Sequence, residues 1–214
     1  MTNDSHQPES SSRIESEQQL REFYSDPSLL SQQKFLAALD CHCQAMIARS
    51  SFVCVATRNQ DGRLDISPRG DPPGSVVVLD PGSLLLPDRR GNNRLDTLGN
   101  LTGQPEIALL FLVPGIPETL RVMGTAELIC DDPRLAACSI DGQIPRVGIL
   151  VHVEQACLQC GKAVKRGRLW DESFRVSAGD LPSFGQMLAD QTQTGQTAEE
   201  LDQSIDEAYR KRLY

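Results

Sequence analysis

The chain has 214 residues and a formal net charge of -8, which argues against a protein held on nucleic acid by a general basic field. Its 39% hydrophobic and 23% charged residues exclude a disordered chain and are typical of one globular domain with a sizeable core. No apolar run is long enough to predict a membrane span. The first residues lack the apolar region of a secretory signal, so we expect a cytoplasmic protein whose seven cysteines are reduced thiols.

The N-terminal part of the chain is predicted to be a tail followed by helices. Residues 1–15 are rich in Ser, Gln and Glu and are expected to be disordered, because nothing in them can form a core. A helix is predicted over residues 15–24 and a longer one over residues 31–48. In the longer one, apolar residues recur at three- and four-residue steps and make one face; they are Phe35, Leu39, Cys43, Met46 and Ile47.

From residue 51 the pattern changes to short apolar runs bounded by turn residues, which is typical of strands. Strands are predicted over residues 52–57, 64–67, 75–79, 83–87, 107–113, 119–130 and 147–156. The Asp61-Gly62 pair marks a hairpin turn. Asn92 or Asn93 is expected to cap a helix that runs to about Leu101. Further helices are predicted after Asp132-Pro133 and over residues 183–190 and 198–212. The pattern predicts an α+β protein with an antiparallel barrel of six to seven strands and flanking helices.

The stretch from residue 84 to 96 is the most informative for chemistry. A strand runs into a loop rich in Arg, Asn and Gly and then into a helix start. Guanidinium groups and backbone N–H groups in such a loop can hold one anionic group, for which phosphate is the natural candidate. The alternative is an ordinary polar loop in which an Asn caps the helix.

A second stretch, residues 65–74, ends a strand in Ser-Pro-Arg-Gly and a stiff turn. Ser67 and Arg69 could reach the same phosphate from a neighbouring strand. The alternative is an exposed turn in which Arg69 pairs with Asp71. Each of these two segments could bind phosphate, and one short strand joins them. Together they indicate a phosphate site more strongly than either does alone.

Three blocks of this sequence, in this order, resemble the FMN-binding split barrel of the pyridoxamine 5′-phosphate oxidase-like proteins. They are residues 52–70, residues 86–95, and residues 105–127 with their central Arg121-Val122-Met123-Gly124. The resemblance implies a split β-barrel with N-terminal helices over residues 16–174, followed by a helical C-terminal extension over residues 175–214.

The resemblance also implies FMN as the cofactor and names its binding residues. It places Ser67, Arg69, Asn93 and Arg94 at the FMN phosphate, and Pro87, Asp88 and Arg89 beside the isoalloxazine ring. It implies a homodimer with the flavins at the subunit interface, where the C-terminal region of one chain covers the flavin of the other. Arg166, Arg168 and Trp170 are the candidates for that cover, although Trp170 could equally be a core residue.

The function implied is an FMN-dependent oxidoreductase that acts on a small molecule, without a membrane or nucleic-acid partner. A non-catalytic flavin-binding or sensing module and a haem-binding protein of the same fold are the alternatives. The Arg-x-His element with which true pyridoxamine phosphate oxidases grip their substrate is missing after Trp170. Oxidation of pyridoxamine phosphate is therefore not expected.

The cysteines and histidines do not predict a metal centre. Cys157 and Cys160 have Cys-x-x-Cys spacing, but Cys41 and Cys43 lie too close together to complete a zinc site well. A redox role for Cys157 and Cys160 would need a thioredoxin-like setting that the pattern lacks, so a structural role is favoured. His152 lies in a predicted strand and is expected to be a barrel residue.

Overall fold

The computed structural model describes residues 13–177 and 179–214 of the chain. Most of the predicted disordered tail, residues 1–12, lies outside the described residues. The chain divides into two compact units between Lys34 and Phe35. The first contains the short helices α1 (Glu17–Arg21) and α2 (Leu29–Gln33), each capped by a serine side chain.

The second unit is built on one antiparallel sheet of seven strands, as the sequence pattern predicts. The strands are β1 (Phe52–Arg58), β2 (Leu64–Gly70), β3 (Val77–Asp80), β4 (Ser83–Pro87), β5 (Glu106–Leu112), β6 (Thr119–Cys130) and β7 (Val147–Gln159). The helices that accompany them are α3 (Cys41–Arg49), α4 (Asp96–Leu101), α5 (Lys162–Arg166), α6 (Phe184–Gln191) and α7 (Ala198–Lys211). Short 3₁₀ helices span Pro133–Cys138 and Glu172–Phe174.

The order of the strands leaves the sheet open. It runs β2-β1-β5-β6-β7-β4-β3, so β2 and β3, which follow each other in sequence, lie at the two ends of the order. The sheet is not closed by a ladder between these ends, and the predicted split-barrel α+β fold is confirmed. The chain therefore crosses between the two ends of the sheet in the short connection from Gly70 to Val77.

The hydrophobic core lies between α3 and one face of the sheet. Alternating residues of β1 and β5 are buried, because successive side chains of a strand point to opposite faces of the sheet and only one face is covered. Cys43 and Ile47 of α3 are fully buried against this face, which also holds the fully buried Phe111 and Leu120.

The single helix predicted over residues 31–48 is wrong. Leu36 pairs with Ala156 of β7 through two backbone hydrogen bonds of 2.9 and 2.8 Å, which holds this segment in an extended conformation. A new helix, α3, begins only after Asp40, whose carboxylate accepts a hydrogen bond from the Cys43 N–H at 2.8 Å. Phe35, expected on the apolar helix face, is 42% exposed.

The ladder between the two longest strands, β6 and β7, has a register shift between Met123 and Gly124. At this bulge the backbones approach so closely that a Cβ on Gly124 would collide with the carbonyl group of His152. Glycine is therefore required here by the space between two strands.

The C-terminal helices form a hairpin of their own. The Gly185 N–H at the start of α6 donates to Asp202 of α7 at 2.7 Å, and Thr197 with Glu200 forms a capping box at the start of α7. No helix among the described residues combines the length and apolar character needed to cross a bilayer.

Gly124→Ala is expected to lower the free energy of unfolding by about 1–3 kcal/mol, because the added methyl group must displace a neighbouring strand. Gly99→Ala is the matched control, since a Cβ at this helical position meets nothing within 4 Å. It should leave the fold at least as stable, because alanine is the better helix former by up to about 1 kcal/mol. Urea denaturation of both variants gives the comparison, and equal stabilities would contradict the role assigned to Gly124.

Candidate functional site

A cavity of about 570 Å³ lies where the end of β2 faces the end of β4. Its walls come from parts of the chain that are distant in sequence. The lining residues fall in five segments, residues 50–53, 65–71, 75–76, 86–98 and 213–214. The two segments singled out for phosphate chemistry thus share one cavity.

Two reciprocal ion pairs join these segments across the opening of the sheet. Arg69 Nη1 lies 2.9 Å from Asp88 Oδ1, and Arg89 Nε lies 2.8 Å from Asp71 Oδ2. Their side chains are the least exposed of all ion pairs among the described residues, at 26% or less. The alternative pairing of Arg69 with Asp71 is wrong: each of these residues takes its partner from the other segment.

Arg89 is the most constrained of the cavity arginines. Besides its pair with Asp71, its Nη2 donates to the carbonyl oxygen of Cys138 at 2.8 Å. This contact ties the cavity loop to the 3₁₀ helix that follows β6. Arg89 is therefore part of a fixed wall rather than a mobile surface side chain.

Two other arginines retain free donor capacity. Arg69 Nε is buried and has no hydrogen-bond partner among the residues that the structure describes, although buried donors are almost always satisfied. Arg90 is exposed and forms no ion pair with any residue that the structure describes. An anionic ligand in the cavity can thus be bound without first breaking every existing contact.

The loop between β4 and α4 has an unusual backbone. Asn93 and Leu95 both have φ of 60°, the left-handed region that costs a residue such as leucine about 1–2 kcal/mol. The predicted asparagine cap of α4 is wrong: the helix begins after Leu95 without a side-chain cap. Asn92 instead accepts a hydrogen bond from the Arg94 N–H at 3.1 Å, which stabilises the loop, and Arg94 Nε pairs with Asp96 at 2.7 Å.

Two polar contacts fix α4 against the sheet. The buried hydroxyl of Thr97 donates to Asp65 at 3.2 Å, and the amide of Asn100 donates to the hydroxyl of Thr57 at 3.0 Å. The strained loop is consequently anchored at both ends, by β4 on one side and by α4 on the other. Strain that is held in this way is typical of functional sites.

Tyr214, the last residue of the sequence, also belongs to the cavity, and sequence reasoning missed it. Its ring centroid lies 5.5 Å from the guanidinium carbon of Arg89. Partial burial, the charge of Asp71 and a hydrogen bond to that carboxylate raise the pKa of the phenol. The only signal available in the sequence was an aromatic residue after a helical segment, which carries no information about its contacts.

Most of the predicted site residues lie together in this cavity. Those that line it are Ser67, Arg69, Pro87, Asp88, Arg89, Asn93 and Arg94. Ser67 and Arg69 share the half-buried face of β2 because they are two residues apart in a strand. Arg168 and Trp170 are not among the lining residues of the same chain: Trp170 Nε1 donates to the Ile116 carbonyl at 2.9 Å, and Arg168 pairs with Asp171 at 2.9 Å.

The cysteine and histidine candidates lie outside the cavity. Cys157 is buried in β7, whereas Cys160 is exposed beyond its end. His152 is exposed and lies 3.4 Å from Glu127. Within residues 13–177 and 179–214, no three His, Cys, Asp or Glu side chains are grouped so that they could hold a metal ion.

Comparison with known proteins gives one family. A family model described as pyridoxamine 5′-phosphate oxidase matches residues 39–160, which include all of the cavity lining except the last two residues. No curated protein matches the chain.

Three of the solved structures with a similar fold serve as examples. HupZ from Group A Streptococcus is 19% identical, with 55% of this chain and 90% of that chain covered and a TM-score of 0.45. A putative pyridoxamine 5′-phosphate oxidase from Lactobacillus delbrueckii is 22% identical, with 56% and 94% covered and a TM-score of 0.45. An FMN-binding protein from Syntrophomonas wolfei is 8% identical, with 54% and 82% covered and a TM-score of 0.42.

Tyr214 is expected to ionise at a higher pH than a free tyrosine, because its surroundings favour the neutral phenol. A raised pKa means that its contact with Asp71 is fully present below pH of about 10 and is lost as the pH rises through the folded-state pKa. Ultraviolet titration of tyrosinate in the native protein, minus the same titration of Tyr214→Phe, isolates this residue. A difference curve centred at or below the value of free tyrosine would contradict the contact.

Proposed function

Because the chain belongs to the pyridoxamine 5′-phosphate oxidase family, we propose that it is an FMN-binding flavoprotein and that the cavity between β2 and β4 holds the flavin. Members of this family often bind FMN. The observation that carries the proposal is the cavity itself, in which a buried, unpaired Arg69 Nε lies among the polar groups of a strained loop. A volume of about 570 Å³ is within the usual range for small-molecule sites.

The balanced charge of the cavity fits a ligand with a single phosphate group better than a ligand that carries many negative charges. Four arginines line it, and so do four aspartates. They are Arg69, Arg89, Arg90 and Arg94 and Asp65, Asp71, Asp88 and Asp96. An anion therefore gains little from the net charge of the site and must be recognised through particular donors, for which a guanidinium group is well suited.

We assign the phosphate to the end of the cavity formed by Ser67, Arg69, Asn93 and Arg94. Arg69 Nε supplies a donor that is already desolvated and needs an acceptor. Asn93 and Arg94 are exposed on the strained loop. The isoalloxazine ring is then assigned to the adjoining part of the cavity, beside Pro87, Asp88 and Arg89, with the Arg69–Asp88 pair between the two parts.

We further propose that the protein is an oxidoreductase acting on a small molecule. FMN supplies the redox chemistry when bound, and the protein contributes binding, orientation and electrostatics. None of the described lining residues is His, Cys or Met, so Tyr214 is the one described lining residue of a type that ligates haem iron. The residues of the chain would accordingly hold the flavin and the small molecule that reacts with it, and none of them is assigned a role as an acid or a base.

A second copy of the chain is proposed to complete the site. Ile66 and Leu95 line the cavity and are 70% and 58% exposed, and large apolar side chains at a rim favour a covering partner. In a homodimer with the flavins at the interface, Arg168 and Trp170 of the other copy are the proposed cover.

The visible spectrum of the purified protein tests the cofactor directly. A flavin spectrum, whether from copurified or added FMN, supports the proposal, and no flavin binding overturns it. Anaerobic addition of NADH or NADPH followed by air then tests redox turnover: a spectrum that bleaches and recovers supports the oxidoreductase, and no bleaching with either donor favours a binding module.

Arg69→Ala and Arg94→Ala are each expected to weaken FMN binding by about 1.5–3 kcal/mol, roughly tenfold to hundredfold. Riboflavin, which lacks the phosphate, should lose much less affinity in both variants. The ratio of the two affinities, measured by fluorescence titration, therefore reports on the phosphate alone.

Arg146→Ala is the matched control for these variants, because Arg146 is 86% exposed beside Asp131 and does not line the cavity. It should leave both affinities unchanged. If Arg69→Ala and Arg94→Ala weaken FMN and riboflavin equally, the phosphate has been assigned to the wrong end.

The proposed dimer predicts a single species of about twice the 23.5 kDa chain mass in size-exclusion chromatography with light scattering. Ile66→Glu should shift this species towards monomer, because it places a charge at the apolar rim. A monomer that binds a full equivalent of FMN would show that the second copy is not needed.

A further inference from the structure

The last residue of the sequence lies at one end of the cavity between β2 and β4. We propose that Tyr214 is a ligand-contacting residue that holds the segment after α7 across the Arg89–Asp71 end of the cavity and limits which molecules reach a flavin bound there. The identity of the ligand rests on the proposed function, whereas the position of this segment does not.

The contacts of Tyr214 are with the least exposed part of the cavity wall. Its ring lies over the guanidinium group of Arg89 at 5.5 Å, within the distance at which a cation and an aromatic face attract each other. Its hydroxyl interacts with Asp71, the ion-pair partner of the same arginine. Leu213 lines the cavity beside it. One side chain thus engages both members of the Arg89–Asp71 pair.

The wall that Tyr214 contacts is held independently of this segment. Arg89 is fixed by Asp71 at 2.8 Å and by the carbonyl of Cys138 at 2.8 Å. The Asp71 N–H donates to the carbonyl of Ser51 at 3.2 Å. Removal of Tyr214 is therefore expected to open the cavity without unfolding it.

The C-terminal helices set where Tyr214 can reach. Helix α7 ends at Lys211, and its last hydrogen bond runs from the Arg212 N–H to Ala208, so Leu213 alone separates Arg212 from Tyr214 at the cavity. This short connection keeps Tyr214 close to the C-terminal end of α7. This assigns a role to the helical extension, which lies outside the part of the chain that matches the family model.

Tyr214 lies at the end of the cavity assigned to the isoalloxazine ring. A molecule that exchanges electrons with the flavin must approach this ring, and Tyr214 occupies space on that side. One aromatic–cation contact and one polar interaction with Asp71 are weak enough to exchange, so we expect the side chain to narrow the entrance without sealing it.

The first test uses the flavin-free 214-residue chain, whose end is then Tyr214. Carboxypeptidase removes a free C-terminal tyrosine rapidly, and a synthetic peptide of residues 205–214 provides the rate for an unprotected end. Release of Tyr214 from the folded protein is expected to be at least about tenfold slower, because cleavage requires the residue to leave its contacts. Release at the peptide rate would overturn the proposal, whatever the protein binds.

The second test uses the FMN-bound protein. Deletion of Leu213 and Tyr214 is expected to speed FMN dissociation by about fivefold or more, and Tyr214→Phe by a smaller factor, because phenylalanine keeps the ring contact and loses the interaction of the hydroxyl with Asp71. The rise in flavin fluorescence after dilution gives the rates. Tyr209→Phe is the matched control, since Tyr209 is 59% exposed on α7 and does not line the cavity.

The outcomes separate the two proposals. Faster FMN loss from the truncated chain at an unchanged melting temperature supports closure by Tyr214. Equal dissociation rates in the truncated and 214-residue proteins overturn it, although the flavin would still be bound. Absence of FMN binding in the 214-residue protein overturns the proposed function, and the protease experiment then decides the position of Tyr214 alone.

Discussion

The site depends on two ion pairs that cross the opening of the sheet in opposite directions. Within the described part of the chain, no ladder joins β2 to the far end of the sheet, so backbone hydrogen bonds do not fix the distance between residues 69–71 and residues 88–89. The pairs Arg69–Asp88 and Arg89–Asp71 do so instead. Because each segment supplies one cation and one anion, loss of a single side chain leaves an uncompensated, partly buried charge in the opposite segment.

The same pairs decide what the cavity can bind. Four arginines would make a strongly basic pocket if they were alone, but four aspartates among the lining residues balance them. Selectivity then comes from the donors that the aspartates leave unused, above all the buried Nε of Arg69. The phosphate group of the proposed FMN would supply the acceptor that Arg69 Nε lacks.

In the proposed function, two parts of the chain have different roles. The part that matches the family model, residues 39–160, supplies the sheet, the strained loop and the crossing ion pairs. The C-terminal helices supply no strand and bring Tyr214 to the cavity. The family part would then fix the cofactor, and the extension would tune access to it.

The sequence by itself determined the local features. Period-two alternation and short apolar runs indicated the strands, with β4 and β6 at the bounds observed, and the density of Arg, Asn and Gly led to the prediction of an anion site in the loop after β4. These features depend on near neighbours in the chain, which is why patterns and motifs reveal them.

Only the tertiary structure decided which groups meet. It paired Arg69 with Asp88, 19 residues away, rather than with Asp71. A helix was expected over residues 31–48, but a backbone bridge from Leu36 to β7 interrupts it. The fold also brought Tyr214 to Arg89. Each of these contacts is made between segments far apart in sequence, and its partner is selected by the path of the folded chain, which no local pattern encodes.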